Sequence, residues 1–178
     1  MPRLFTGLEI PEAVRLELST FRGGLPGARW VEPENYHVTL RFIGDIDEGM
    51  ARDVTAILGE TGPRAPLQVT LDALGSFGGR NPRIVMARAT ATDDLSALQS
   101  ENEQLLRRVG LPPESKKFVP HVTLARLRNT SSAAVANYIA MHGRFQKLSF
   151  EADRFVLYSS RASVGGGPYV VEAAYPLG

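Results

Sequence analysis

The sequence contains no cysteine, which removes disulfides, thiolate zinc ligands and cysteine nucleophiles together. It has no apolar run of membrane-spanning length, since charges interrupt every hydrophobic stretch well short of about 20 residues. The opening Met1-Pro2-Arg3-Leu4-Phe5-Thr6-Gly7 lacks the apolar core of a secretory signal. Neither sign of charge dominates: 20 Lys and Arg face 19 Asp and Glu, for a net charge of +1. A bulk electrostatic nucleic-acid binder is thereby excluded, and any RNA contact has to be a local basic site. The acidic residues form no metal-spaced cluster, and only Gly165-Gly166-Gly167 is low-complexity. These absences point to a soluble, cytoplasmic protein with no membrane partner.

What is present is ordinary globular material: 178 residues, 43% hydrophobic and 22% charged, enough for one domain or two small packed lobes. Alternation and β-forming residues predict strands over Arg3 to Glu9, Tyr36 to Ile43, Pro66 to Leu74, Arg83 to Thr90 and Phe118 to Leu127. Three further strands are expected near Phe145 to Phe150, Arg154 to Ser159 and Tyr169 to Tyr175. Helices are predicted after Pro11, with an apolar stripe of Val14, Leu16, Leu18 and Phe21, and from Glu48 to Leu58 behind an Asp47 cap. Two more run from Asp93 or Asp94 to Gly110 and from Ser131 to Met141. Gly75 to Pro82 reads as a glycine-rich connection, and Gly165 to Gly167 as a loop between the last two strands. Interspersed helices with strands in succession at the end favour an α+β fold with largely antiparallel pairing.

One tetrapeptide occurs twice, His37-Val38-Thr39-Leu40 and His121-Val122-Thr123-Leu124, with 84 residues between the histidines (121 − 37). The repeat takes two of only three histidines, and each copy sits in a predicted strand followed by an arginine, Arg41 or Arg126. Side chains alternate across a strand, so His37 and Thr39 share a face, as do His121 and Thr123, with Val and Leu packed behind. Matching strands in the two half-chains suggest a duplication, hence two similar lobes that together form one bilobal domain over residues 1–178 around a central groove. A single strand histidine is more often structural than catalytic; two copies in matching settings reverse that balance. His142 ends a predicted helix, where a histidine commonly serves the helix dipole, and is assigned no function.

Opening a cyclic phosphodiester with water requires one proton removed from the water and one delivered to the departing oxygen. Histidine, at about 6.5 unperturbed, can hold either state near neutrality. Attack and departure are roughly in line across phosphorus, so acid and base must flank the phosphate. Thr39 and Thr123 can donate hydrogen bonds to the non-bridging oxygens. The scheme demands no metal or cofactor.

The paired His-x-Thr-Leu motifs resemble the 2H phosphoesterase superfamily. Their flanks, Asn35-Tyr36-His37-Val38-Thr39-Leu40-Arg41-Phe42-Ile43-Gly44 and Phe118-Val119-Pro120-His121-Val122-Thr123-Leu124-Ala125-Arg126, resemble its RNA 2′,3′-cyclic phosphodiesterase branch, also called the 2′-5′ RNA ligase family. The resemblance extends from Arg3-Leu4-Phe5 to Tyr175-Pro176-Leu177, with Gly75-Ser76-Phe77 and Asn81-Pro82-Arg83 similar to the family's central loop. It implies a bilobal α+β fold with two pseudo-symmetric lobes, and hydrolysis of a terminal 2′,3′-cyclic phosphate to a 2′-phosphomonoester. In some members it also implies ATP-independent 2′-5′ joining in reverse. The family's functional positions map onto His37, Thr39, His121 and Thr123, with Arg126 as a phosphate contact. The sequence departs from the family after Leu157-Tyr158, where Ser159-Ser160-Arg161 stands in place of an immediate basic residue.

Arg41 is expected on the face of His37 and Thr39 as an RNA-backbone contact, whereas strict alternation turns Arg126 away from His121 unless the strand bulges. Phe77, in the glycine-rich connection, is a candidate for stacking on a base, and Lys117, beside Lys116, for attracting phosphates. Trp30 is expected as packing at a lobe edge. The expected partners are RNA ends or nucleotides bearing a 2′,3′-cyclic phosphate, met by a monomer. Competing expectations are a phosphodiesterase for small cyclic nucleotides or ADP-ribose cyclic phosphate, a non-catalytic RNA or nucleotide-binding module, and a two-histidine metal enzyme.

Overall fold

The computed structural model describes residues 3–160 and 168–178. In chain order the elements are β1 (Arg3–Glu9), α1 (Glu12–Ser19), β2 (Ala28–Trp30), a 3-10 turn (Pro33–Asn35), β3 (His37–Asp45), α2 (Glu48–Leu58), β4 (Leu67–Phe77) and β5 (Ile84–Ala89). They continue with α3 (Asp93–Arg108), β6 (His121–Leu127), α4 (Ser132–Met141), β7 (Leu148–Ala152), β8 (Arg154–Ser160) and β9 (Tyr169–Pro176). Arg161 and Gly165 to Gly167 lie outside the described residues.

The strands form one open antiparallel sheet in the order β7-β4-β5-β6-β3-β1-β8-β9, with β2 added beside β6. Its two halves have matching composition. The motif strand β3 is flanked by β1, then β8 and β9; the motif strand β6 is flanked by β5, then β4 and β7. The order β1-α1-β3-α2 recurs as β5-α3-β6-α4, apart from the insertion of β2. The halves join between β3 and β6 at one antiparallel pair, Val38 opposite Val122.

Helix starts follow local hydrogen-bond chemistry. The Asp47 carboxylate accepts the Met50 N–H at 2.7 Å and the Ser131 hydroxyl oxygen accepts the Ala134 N–H at 3.0 Å, satisfying donors that a helix start leaves unpaired. α3 is capped by Thr92, which accepts the Leu95 N–H, and not by Asp93 or Asp94. Those two acids occupy the first turn instead, where they suit the helix dipole. The helices bury Leu18, Val54, Leu58, Leu98, Leu106 and Tyr138 in one core with Val38, Leu40, Val122 and Leu124. Each such side chain contributes roughly 1.5–3 kcal/mol on full burial. Since Val38 and Val122 face that core, their neighbours in the strands face away from it.

Four expectations need correction. Leu16 is 62% exposed while Val14 and Leu18 are buried, because residues two apart do not share a helix face. β4 runs through Gly75 to Phe77, paired with Met86, Val85 and Ile84. Gly75 marks close packing there, since a Cβ would lie 2.9 Å from the Met86 methyl carbon. β2 is too short to show a period in the sequence; it pairs Ala28 with Leu127 and Trp30 with Ala125. β6 and β7 begin later than expected, β6 immediately after Pro120, which has no N–H to give a ladder.

Candidate active site

The Val38–Val122 pair sets the geometry of both motifs. In antiparallel register it puts His37 beside Thr123 and Thr39 beside His121, related by a local twofold axis. All four side chains alternate with valines that are fully buried, so they share the face away from the core. The two histidines are diagonal neighbours across the strand boundary. Gly7 allows β1 to approach from the other side: a Cβ there would meet the Val38 carbonyl oxygen at 2.8 Å.

Each motif strand then bulges at the same place. Along β3, Thr39 pairs with Gly7 and Arg41 with Thr6, leaving Leu40 as the extra residue. Along β6, Thr123 pairs with Met86 and Ala125 with Val85, leaving Leu124 as the extra residue. An added residue reverses the side-chain parity beyond it. Arg126 therefore turns to the groove, whereas Arg41 turns to the core. The expected RNA contact by Arg41 is overturned. Its side chain is 6% exposed and donates to the Glu103 carboxylate and to the Phe42 and Pro112 carbonyls. The groove position on β3 belongs to Phe42, which is 50% exposed.

The two imidazoles are held alike. His37 Nδ1 lies 2.8 Å from the Asn35 carbonyl oxygen, and His121 Nδ1 lies 2.7 Å from that of Val119. A carbonyl only accepts, so Nδ1 carries the proton in both neutral rings and Nε2 is left bare. His37 Nε2 takes a hydrogen bond from the Thr39 hydroxyl at 3.0 Å. Around His37 the rings of Phe5, Tyr169 and Tyr158 lie at centroid distances of 4.9, 5.0 and 5.5 Å. Phe77 meets His121 edge-on at 4.9 Å. Tyr158 and Phe77 are equivalent positions in the sheet: Tyr158 pairs with Phe5, itself opposite Phe42, and Phe77 pairs with Ile84, itself opposite Arg126.

Desolvation in the aromatic cage lowers the His37 pKa to about 4, against a raising hydrogen bond to Asn35, and the nearby His121 and Arg126 lower it further. Desolvation also lowers that of His121, again opposed by its backbone hydrogen bond. Both rings are thus biased towards the neutral, proton-accepting form in the empty groove.

Two contiguous clefts open on this face, sharing Thr39 and Phe42. The first, of about 400 Å³, brings together His37, Thr39, Thr123 and Arg126, with Arg3 and Asn35 at its wall. The second, of about 440 Å³, lies against His121 and is lined by Phe77, Phe118, Lys116 and Lys117. Trp30 packs its ring 5.8 Å from that of Tyr138, and His142 sits at the C-terminus of α4 against Phe21 and Tyr138. Among the described residues no group of three or more His, Cys, Asp or Glu could hold a metal ion, and no helix is long and apolar enough to cross a membrane. Phe42, Phe5, Asn35, Tyr158 and Tyr169 do not stand out in the sequence. Aligning the two motifs from their histidines would have found Phe42, opposite Arg126.

An open antiparallel sheet with two His-x-Thr strands on one groove is the architecture of the 2H phosphoesterases. A family model described as the 2′-5′ RNA ligase superfamily matches residues 10–163, and this chain belongs to that superfamily. An RNA 2′,3′-cyclic phosphodiesterase of Aquifex aeolicus is 29% identical over 174 residues, covering 96% of this chain and 90% of the relative. Another, of Methanothermobacter thermautotrophicus, is 30% identical over 132 residues, 71% of each chain. Among solved structures, TT0787 of Thermus thermophilus matches with a TM-score of 0.81 at 25% identity, over 98% of this chain and 97% of that one. E. coli LigT complexed with 3′-AMP matches at 0.79 and 24% identity over 99% of each. The family and fold resemblance read from the sequence is borne out.

Proposed function

We propose that this chain hydrolyses the 2′,3′-cyclic phosphate at an RNA end to a 2′-phosphomonoester, using His37 and His121 as an acid–base pair and no metal or cofactor. The observation that carries this is the single Val38–Val122 pairing, which sets two imidazole–hydroxyl pairs about one local axis on an open face. Water attacks phosphorus while one bare Nε2 takes its proton. The P–O3′ bond breaks, and the other imidazolium gives its proton to O3′. The anionic phosphate raises the pKa of whichever ring serves as the acid, offsetting the desolvation that keeps it neutral in the empty groove. Thr39, Thr123 and Arg126 line the space beside the rings and hold the non-bridging oxygens. An RNA 5′-hydroxyl in the place of water opens the ring in the same way and gives a 2′-5′ linkage without ATP.

Both motif strands come from one chain, so a complete site needs no second copy, and we read the protein as a cytoplasmic monomer. We also read residues 1–178 as one bilobal domain, its lobes being the matching halves of the sheet. Incubation of an oligonucleotide ending in a 2′,3′-cyclic phosphate, with and without a chelator, tests the proposal through 31P NMR of the product. A 2′-phosphomonoester formed at equal rates in both is expected. Loss of turnover in chelator, or cleavage of cyclic mononucleotides or ADP-ribose cyclic phosphate alone, would overturn it.

A further inference from the structure

We propose that Arg41, braced on Glu103, is a positioning residue for His121: it holds the segment whose Val119 carbonyl orients that ring. The proposal deepens the two-histidine reading and rests on it only for the rates.

The local twofold supplies an internal comparison. In the first half, β2 leads through the 3-10 turn to Asn35, the acceptor for His37 Nδ1. β2 is held by the opposite half: Trp30, seven residues before His37 (37 − 30), pairs with Ala125, four after His121 (125 − 121). The Val31 N–H continues the attachment, donating to the Leu124 carbonyl at 2.9 Å. The counterparts in the second half are Glu114, seven residues before His121 (121 − 114), and Arg41, four after His37 (41 − 37). Residues 112–114 form no strand, and Pro112 and Pro113 have no N–H to give a ladder.

Side chains make the attachment instead. Arg41 donates to the Glu103 carboxylate and to the carbonyl of Pro112, which is the counterpart of Ala28, nine residues before its histidine (121 − 112 and 37 − 28). Glu103, on α3, accepts the Glu114 N–H at 2.9 Å. From there the chain runs to Val119, whose carbonyl accepts the His121 Nδ1–H at 2.7 Å. Beyond it, the Ala89 N–H holds the Pro120 carbonyl at 2.9 Å. The segment is therefore pinned to its own half at one end and to the strand carrying His37 at the other.

The bulge itself does not require an arginine. Ala125, fully buried, holds the same place after the Leu124 bulge. Among the described residues Arg41 is the one buried charged side chain. A buried ion pair adds little stability over apolar side chains of the same shape, so its presence where alanine suffices points to what it holds. The motif strands themselves meet only at Val38 and Val122. A shift of one imidazole against the other by about 1 Å is enough to slow a reaction roughly 10²-fold.

The test uses Arg41→Met and Arg41→Lys, each alone and beside His37→Ala or His121→Ala, at a temperature where circular dichroism shows a native fold. Arg41→Lys keeps the charge without the planar fork, and it carries the test if Arg41→Met does not fold. On a cyclic-phosphate oligonucleotide, kcat of Arg41→Met should fall about tenfold or more, with KM within about twofold of wild type. Arg41→Lys should recover part of the rate. The loss should persist beside His37→Ala and disappear beside His121→Ala, since a ring that is absent cannot be misplaced. Equal losses in both backgrounds, or a loss confined to KM, overturn the proposal. Independently of turnover, imidazole 1H–15N NMR should show the His121 Nδ1 proton exchanging with water about tenfold or more faster in the variant, and the His37 proton unchanged. Unchanged exchange at His121, or an equal change at both rings, overturns the proposal as well. If the wild type hydrolyses no cyclic phosphate but exchange changes at His121 alone, the phosphodiesterase reading fails while the clamp stands.

Discussion

Phe42 and Arg126 occupy one position in two copies of the same motif. Each lies five residues after its histidine (42 − 37 and 126 − 121), each follows the same bulge, and each lines the groove. The backbone is nearly symmetric there and the chemistry is not. One half offers an apolar ring and the other a permanent cation, as suits a substrate with a nucleoside on one side and anionic oxygens on the other. Among the described residues Arg126 has no ion-pair partner, and its field already reaches His37.

Arg126→Ala should accordingly lower kcat by roughly 10²-fold, the usual cost of one donor to developing charge, with the circular dichroism spectrum unchanged. Arg126→Lys should recover part of the loss. Turnover of Arg126→Ala within twofold of wild type would remove the residue from the site.

Arg41 is predicted to act on stability. Removing it leaves Glu103, whose side chain is 13% exposed, without its short ion pair and strips donors from two carbonyls. Breaking a buried pair by one partner typically costs about 3–5 kcal/mol, so Arg41→Ala should shift the urea midpoint markedly downward. Burial alone would raise the Glu103 pKa, but hydrogen bonds from Arg41, Glu114 and Arg107 bring it to about 2. The folded value lies below the unfolded one, so this stabilisation is complete above about pH 4.5 and is lost as pH falls towards 2. Denaturation of Arg41→Ala should lack most of that acid limb. A variant with wild-type stability and weakened RNA binding would reinstate Arg41 as a backbone contact.

His37 should titrate near pH 4 in the ligand-free protein, because Phe5, Tyr158 and Tyr169 desolvate it and His121 and Arg126 repel its charge. The folded value is below the unfolded 6.5, so the unfolded chain takes the proton first. Stability is then complete above pH 6.5 and falls by up to roughly 3 kcal/mol as pH drops from 6.5 to 4. Imidazole NMR titration with and without bound 3′-phosphonucleotide checks this, and the bound anion should move a midpoint upward. A free-protein midpoint at or above 6.5 for His37 contradicts the cage.

The sequence exposes the motif pairs because strand alternation acts within four residues: His37 with Thr39, and His121 with Thr123, need nothing beyond local geometry. Arg41 shows where that stops. Alternation places it in the groove, but the bulge at Leu40 depends on how β1 packs against β3, and Gly7 makes that approach possible only in the folded sheet. The same event at Leu124 supplies the bulge that Arg126 requires to reach the groove. Phe77 reads as loop because its glycine neighbours look like turn material. Gly75 instead lies in β4 against Met86, 11 residues away in sequence (86 − 75) and its direct partner on β5. The aromatic cage draws on β1, β8 and β9, and no local pattern joins residues that distant.

The central claim is that His37 and His121 act on one phosphorus. Single-turnover hydrolysis of a cyclic-phosphate oligonucleotide by His37→Ala, His121→Ala and the double variant tests it most directly. Each single substitution should slow the chemical step by about 10²–10⁴-fold, and the double variant should be far less than multiplicatively slower, because the two rings serve one transition state. A folded single variant that retains wild-type turnover, or losses that multiply in full, would contradict it.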